Sequence, residues 1–257
     1  MEYDKKSIKS SLKIIATNGT APNHGCELFG IGYEDAYCRL SEEIIEGTLV
    51  DGDSTEKFIV GPYGSGKTHF LRELCARAEG LGCVTVEVSL TKQIDYTNGL
   101  IIYKEVASQI KAPGKTKHGI QALLESAIEN IKQVLTDSDE IEAWIKTLED
   151  KQYDHNHFGR VIGKVLRFIH EEDSQHIGPL CRWLEGEIDN RDLIKSFPDG
   201  LFLQPAPKPQ QGLQATQLMH SLGQFIRLSN FKGTVICYDE AEQGLDVSAR
   251  KAEMVQS

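Results

Sequence analysis

Eight consecutive residues, Gly61-Pro62-Tyr63-Gly64-Ser65-Gly66-Lys67-Thr68, match G-x-x-x-x-G-K-[ST] at every fixed position. The chemistry explains the composition. Glycines let a backbone wrap closely around phosphate oxygens and aim successive N–H groups at them. A helix starting at the end of the loop offers its positive N-terminal end to the same anion. Lys67 would bring a mobile ammonium to the terminal phosphates, and the Thr68 hydroxyl would ligate Mg²⁺. His69 follows directly and is grouped with the phosphate-side residues. The bland alternative is a glycine turn that happens to precede a helix.

A second cluster is Val235-Ile236-Cys237-Tyr238-Asp239-Glu240, an apolar run ending in two acids. Downstream of a phosphate loop this suits the strand that brings carboxylates to the metal side. Asp239 would hold Mg²⁺ through water, and Glu240 would orient or deprotonate an attacking water. Glu242 competes for the base role, because a kinked chain could turn either carboxylate inward. Two smaller constellations read more simply. Asp154-His155-Asn156-His157 has the look of a metal pair but no second cluster at matching spacing, so it reads as a polar turn ahead of a helix. Lys111 to His118 is a small basic loop that serves solubility, with nucleic-acid contact as its alternative.

The elements that position these residues follow from periodicity. Lys57-Phe58-Ile59-Val60 is a short apolar run entering the glycine loop and is expected to be a buried strand. Phe70, Leu71, Leu74, Cys75 and Ala78 mark an amphipathic helix ending at Gly80, and Val84, Val86, Val88 and Leu90 alternate as a strand does. Strand, loop, helix and strand make a βαβ unit, hence an α/β fold with a parallel sheet. Upstream, Ile8, Leu12, Ile15 and Ala16 have helical spacing with Lys5, Lys9 and Lys13 on another, solvated face, and a second helix is expected over Glu34 to Glu46. Downstream, Ile120 to Leu135 follows the 3.6 period, with further helices around Ile141–Leu148, Phe158–Ile169 and Gly178–Ile188. Residues 198–209 hold half of the eight prolines and read as an extended connector, with Leu218, Leu222, Phe225 and Ile226 forming a last helix.

Composition bounds the reading. The 257 residues carry 28 Lys+Arg against 38 Asp+Glu, a net charge of −10, which argues against a surface that grips nucleic acid everywhere. Residues 137–192 alone hold 14 acidic and 7 basic side chains, so most of the excess negative charge sits in the helical block. No window approaches eighteen apolar residues, and the first nineteen residues do not have the form of a signal peptide. Six scattered cysteines without a C-x-x-C pair read as reduced thiols of a cytoplasmic protein. The organisation expected is an N-terminal helical segment over 1–56, a nucleotide-binding core from 57–112 and 213–257, an acidic helical insertion over 113–197 and a Pro-rich connector over 198–212.

With these residues in place, the chain resembles the ATP-binding P-loop proteins of bacterial BREX phage-defence systems. The likeness rests on Glu27-Leu-Phe-Gly-Ile-Gly-Tyr-Glu34, on Phe58 through Arg72, on the Val84–Leu90 strand and on Tyr238-Asp-Glu-Ala-Glu242. It covers roughly residues 8–110 and 213–250 and is looser over the acidic block. It implies an AAA/ASCE-like P-loop NTPase with an all-helical insertion, binding ATP or ADP with Mg²⁺ and hydrolysing ATP to drive conformational change among other defence components. It also implies that the segment around Phe29–Tyr33 sits near the nucleotide base. DNA contact would be weak and salt-dependent; a homo-oligomer is compatible, and no membrane is involved. The competing classes are a nucleotide-gated assembly or DNA-binding module with little hydrolysis, and a small-molecule kinase. A complete core of this kind also needs further strands, a sensor residue and an arginine finger. Those are expected from additional sequence or another chain, since nothing supports Arg250 in the finger role.

Overall fold

The computed structural model describes residues 8–9, 12–13, 16–17, 32–49, 52–91, 94, 98–197 and 211–241. The three short N-terminal pairs are helical. The first longer element, α1 (Glu34–Leu40), runs without a break into a π-helical stretch, Ser41–Thr48, so the expected second helix forms. Helix α2 (Lys67–Gly80) follows the glycine loop. Strand β1 (Val84–Ser89) comes next, then α3 (Gly99–Gln109), whose N-terminus is capped by the Asn98 side chain accepting from Leu100 N–H.

The helical block comprises α4 (Ile120–Val134), α5 (Ser138–Asp150), α6 (Phe158–His170), α7 (Ile177–Leu184) and α8 (Asn190–Ser196). Capping explains several of its boundaries. Asp137 accepts from Asp139 N–H at the start of α5, and Asp189 accepts from Arg191 and Asp192 N–H at the start of α8. α7 stops at Leu184, short of the Ile188 expected, where Gly186 takes φ 72° and Glu187 N–H donates back to Arg182 O; the Asp189 cap then starts α8. Helix α6 buries Phe158, Val161, Ile162, Val165 and Leu166, the full apolar stripe of its pattern. It approaches α5 so closely that a Cβ at Gly163 would lie 2.7 Å from Glu149 Cβ. The proline-rich stretch 198–210 lies outside the described residues, and the chain resumes in α9 (Gln211–Leu228) and β2 (Thr234–Asp239).

β1 and β2 pair in parallel, with Val84 opposite Thr234 and Ser89 opposite Asp239. The two faces of this small sheet differ. Val84, Val86 and Val88 join one continuous core with α3, the helical block and α9. The opposite face carries Glu87, Ser89, Cys237 and Asp239 and is covered by α2. Helices α3 and α9 also pack against each other, which brings together the chain leaving β1 and the chain entering β2. Among the described residues no helix is long and apolar enough to cross a membrane.

One expectation fails. Residues 57–60 do not form a buried strand: they carry no regular structure, and Phe58 and Val60 are 88% and 93% exposed. A strand needs a neighbour for its N–H and C=O groups. β1 has β2 along one edge and a bridge from Thr85 to Lys111 on the other, while the described sheet has only these two strands. The fold is therefore helix-rich with a two-stranded parallel sheet, and its parallel pair is built from 84–89 and 234–239. The same Thr85 bridge redefines the basic loop. Lys111 pairs with Glu79 at 2.8 Å, Lys115 with Glu129, and the His118 ring sits 3.2 Å from the Gln109 carbonyl.

Candidate phosphate-binding site

The glycine loop passes over Pro62, Tyr63 and Gly64, which are exposed, then tightens where Ser65 N–H donates to Pro62 O. Gly64 and Gly66 adopt φ of 80° and 87°, which an L side chain rarely tolerates, so these two fixed positions require glycine. Gly61 is tight for a different reason: a Cβ there would lie 2.7 Å from Ser65 Oγ. Helix α2 then starts at Lys67 with no side chain bonded to its N-terminus and no acid in its first turn. Its first-turn N–H groups and the positive end of its dipole are left for an external anion. The Lys67 ammonium donates to Gly61 O at 3.1 Å and Pro62 O at 3.3 Å, folded over the loop it would serve.

His69 is placed differently. Its Nε2 lies 3.6 Å from Glu73 Oε2, and both atoms are buried without a hydrogen bond. The side chain thus faces along α2, and only its backbone N–H belongs to the loop end.

The metal-side residues meet in one cleft. Thr68, Leu71 and Arg72 from α2, Glu87, Val88 and Ser89 from β1, and Cys237 and Asp239 from β2 line a small open cleft of about 20 Å³. Thr68 and Asp239, far apart in sequence, therefore share a wall. The polar donors of the cleft, apart from Arg72, are oxygens and a thiol, and the oxygens of Thr68, Ser89, Glu87 and Asp239 suit a hard cation such as Mg²⁺. Among the described residues no cluster of three or more His, Cys, Asp or Glu could hold a metal unaided. Glu240 does not line the cleft. It follows at φ 59°, and its N–H donates to Asp239 Oδ1 at 2.9 Å. Glu242 and Arg250 lie outside the described residues.

Sequence reasoning left out several side chains that the fold brings here. Glu87 lies 3.7 Å from Arg72 inside the cleft. Partial burial holds its carboxyl above the usual carboxylate range, against the opposing pull of Arg72. The signal was the alternation itself: Thr85, Glu87 and Ser89 were the strand face that α2 covers. Cys75 donates to Cys237 at 3.4 Å directly beneath the cleft. That hydrogen bond and burial push the Cys75 thiol far up, so it is packing rather than a nucleophile.

The back of α2 is fastened to α1. Arg77 makes a two-pronged pair with Glu34 at 2.9 and 2.7 Å, holds the buried Glu73 at 2.7 Å, and lies 4.4 Å over the Tyr37 ring. The hydrogen bond from Arg77 lowers the Glu34 carboxyl below its ordinary range, and the same bond raises the guanidinium. Tyr37 stacks on Phe70 at 4.5 Å, Tyr33 meets Phe70 edge-on at 5.6 Å, and the Tyr33 hydroxyl donates to Ser65 O at 2.9 Å. Tyr33 is the part of the expected base-side segment that the structure describes, together with Gly32.

No curated protein and no solved structure matches this chain. A family does, and its description is BREX system ATP-binding protein BrxC/D. The match runs over residues 4–254, through the glycine loop, the acidic helical block and the strand that ends at Asp239. It thus includes the block where the sequence likeness was loosest. A phosphate-ready loop facing an oxygen-lined cleft is what an ATP-binding description requires, and on this near-complete match the chain belongs to the BREX system ATP-binding protein BrxC/D family.

Proposed function

We propose that the chain binds ATP or ADP with Mg²⁺ at the 61–68 loop and works as an AAA/ASCE-like P-loop NTPase in an anti-phage assembly. One observation carries this reading. A loop with glycine-only conformations at 64 and 66 enters a helix with no acid in its first turn, beside a cleft walled by both Thr68 and Asp239. Backbone N–H groups of the loop and of His69 hold the phosphates. Lys67 leaves the carbonyls of Gly61 and Pro62 and donates to the terminal phosphate instead. Thr68 and Asp239 would hold the cation, with the oxygens of Glu87 and Ser89 beside them in the same cleft. Bound Mg²⁺ neutralises charge on the phosphate oxygens. Glu240 serves as base, with Glu242 as its rival. The division into an N-terminal segment over 1–56, a nucleotide core, an acidic helical part over 113–197 and a connector belongs to the same proposal.

A second reading is favoured by one observation: Glu240 stands outside the cleft in a left-handed conformation. Nucleotide binding that assembles partners, with hydrolysis slow until a partner re-aims this residue, fits that geometry. DNA contact, given the net charge of −10, is weak and falls steeply with salt.

Calorimetric titration with ATP, with and without Mg²⁺, tests the reading. Lys67→Ala should weaken binding about 10–100-fold, the worth of losing a charge-assisted contact to phosphate, without unfolding the chain. Wild-type affinity in a folded Lys67→Ala variant would remove the loop from the site.

A further inference from the structure

The Tyr33 hydroxyl reaches across 32 residues to the carbonyl of Ser65, inside the glycine loop. That carbonyl belongs to the peptide joining Ser65 to Gly66, and no peptide bond among the described residues is cis. In a trans peptide the C=O and the following N–H point in opposite directions. Whatever pins the Ser65 oxygen therefore also aims the Gly66 N–H to the other side. The pin matters because Gly66 sits at φ 87° with no side chain to resist rotation, so this peptide could otherwise flip at little cost.

The hydroxyl itself is braced. The Tyr33 ring rests edge-on against Phe70, Phe70 stacks on Tyr37, and Arg77 covers Tyr37 while gripping Glu34. Four side chains from α1 and α2 thus fix one oxygen relative to the loop.

We infer that Tyr33 is a positioning residue of the phosphate loop: its hydroxyl holds the 65–66 peptide with the Gly66 N–H turned toward the ligand's phosphate oxygens. The inference rests on reading residues 61–68 as a phosphate site. It differs from a base-side role for the 29–33 segment, because the ligand class it serves is any polyphosphate, with or without a base.

The experiment titrates the full chain with Mg·ATP and with inorganic tripolyphosphate plus Mg²⁺, comparing wild type, Tyr33→Phe and Lys67→Ala, and records thermal midpoints without ligand. Tyr33→Phe keeps the ring and its packing and removes only the hydroxyl. Both ligands should weaken by the same factor, about five-fold for one lost hydrogen bond, with the midpoint unchanged. If Tyr33→Phe weakens ATP alone, the residue acts on the base and the inference is overturned. If Lys67→Ala weakens both ligands and Tyr33→Phe weakens neither, the loop is a phosphate site that does not need this pin. If Lys67→Ala changes nothing, the phosphate reading itself fails, and the inference falls with it.

Discussion

The glycine-loop end of the molecule and its helical block are built on opposite principles. Residues 53–64 lie at the surface with little regular structure, and Phe58, Val60 and Tyr63 are almost wholly exposed. The block from α4 to α8 buries Leu123, Ile145, Phe158, Leu166 and Trp183 almost completely and caps the starts of α5 and α8 with Asp137 and Asp189. The loop is held instead by a few directional contacts: Tyr33 to Ser65, Lys67 to two carbonyls, and Arg77 to Glu34 and Glu73 behind it. Apolar burial gives bulk stability without direction, while hydrogen bonds give direction for little net stability. A molecule arranged in this way can change its site without losing its fold.

Three further changes should break or sharpen that contrast. The largest effect belongs to Glu240→Gln. Turnover, measured in the presence of whatever partner stimulates it, should fall about 10²–10⁴-fold, as for loss of a general base, while ATP affinity and the thermal midpoint stay unchanged. A large defect from Glu242→Gln with none from Glu240→Gln would move the base two residues along.

Next comes Phe158→Ala. Phe158 is fully buried and packs 5.0 Å from the Tyr153 ring, so truncation should cost about 3–5 kcal/mol in denaturant unfolding. Lys67→Ala should cost almost nothing in the same assay. Equal losses from the two variants would mean that stability is not concentrated in the block.

The smallest of the three is a pH effect. His155 is buried edge-on against Trp183, and burial together with His157 pushes its pKa down to about 4. Protonation then favours the unfolded chain, whose imidazole titrates near 6.5. The stabilisation is complete above about pH 6.5 and is lost as pH falls toward 4, by up to about 3 kcal/mol. Unfolding curves across that window should show wild type weakening more steeply than His155→Gln. Parallel slopes would assign the acid sensitivity to other groups.

What could be read from the chain beforehand follows a physical line. The glycine loop, α2 and the α4–α6 helices were legible because their patterns are local: φ-demanding glycines and 3.6-residue apolar spacing act within a few residues. The strand expected at 57–60 was not, since its apolar, β-branched composition says nothing about whether a neighbour will pair with it. The site divides in the same way. Lys67 and Thr68 follow from the motif, and Asp239 from an apolar run ending in acids. Tyr33 lies 32 residues from its acceptor, and Arg77 sits about two and a half turns along α2 from the loop, so neither carries a local mark. Asp154-His155-Asn156-His157 was readable as a turn ahead of α6. Asp154, however, ties to His220 and Gln224 of α9, contacts that only the tertiary fold supplies.

The parallel pairing of β1 with β2 also has a kinetic side. Parallel neighbours cannot be joined by a hairpin, and here the connection runs from Leu90 to Gly233 through the whole helical block. Closing so long a disordered chain is entropically dearer than closing a hairpin. The α3–α9 contact shortens the effective loop by bringing together the helix that follows β1 and the helix that precedes β2. Bringing Asp239 beside Thr68 thus requires closing a long connection through the helical block, whereas Thr68 is joined to its loop and to α2 by adjacent sequence.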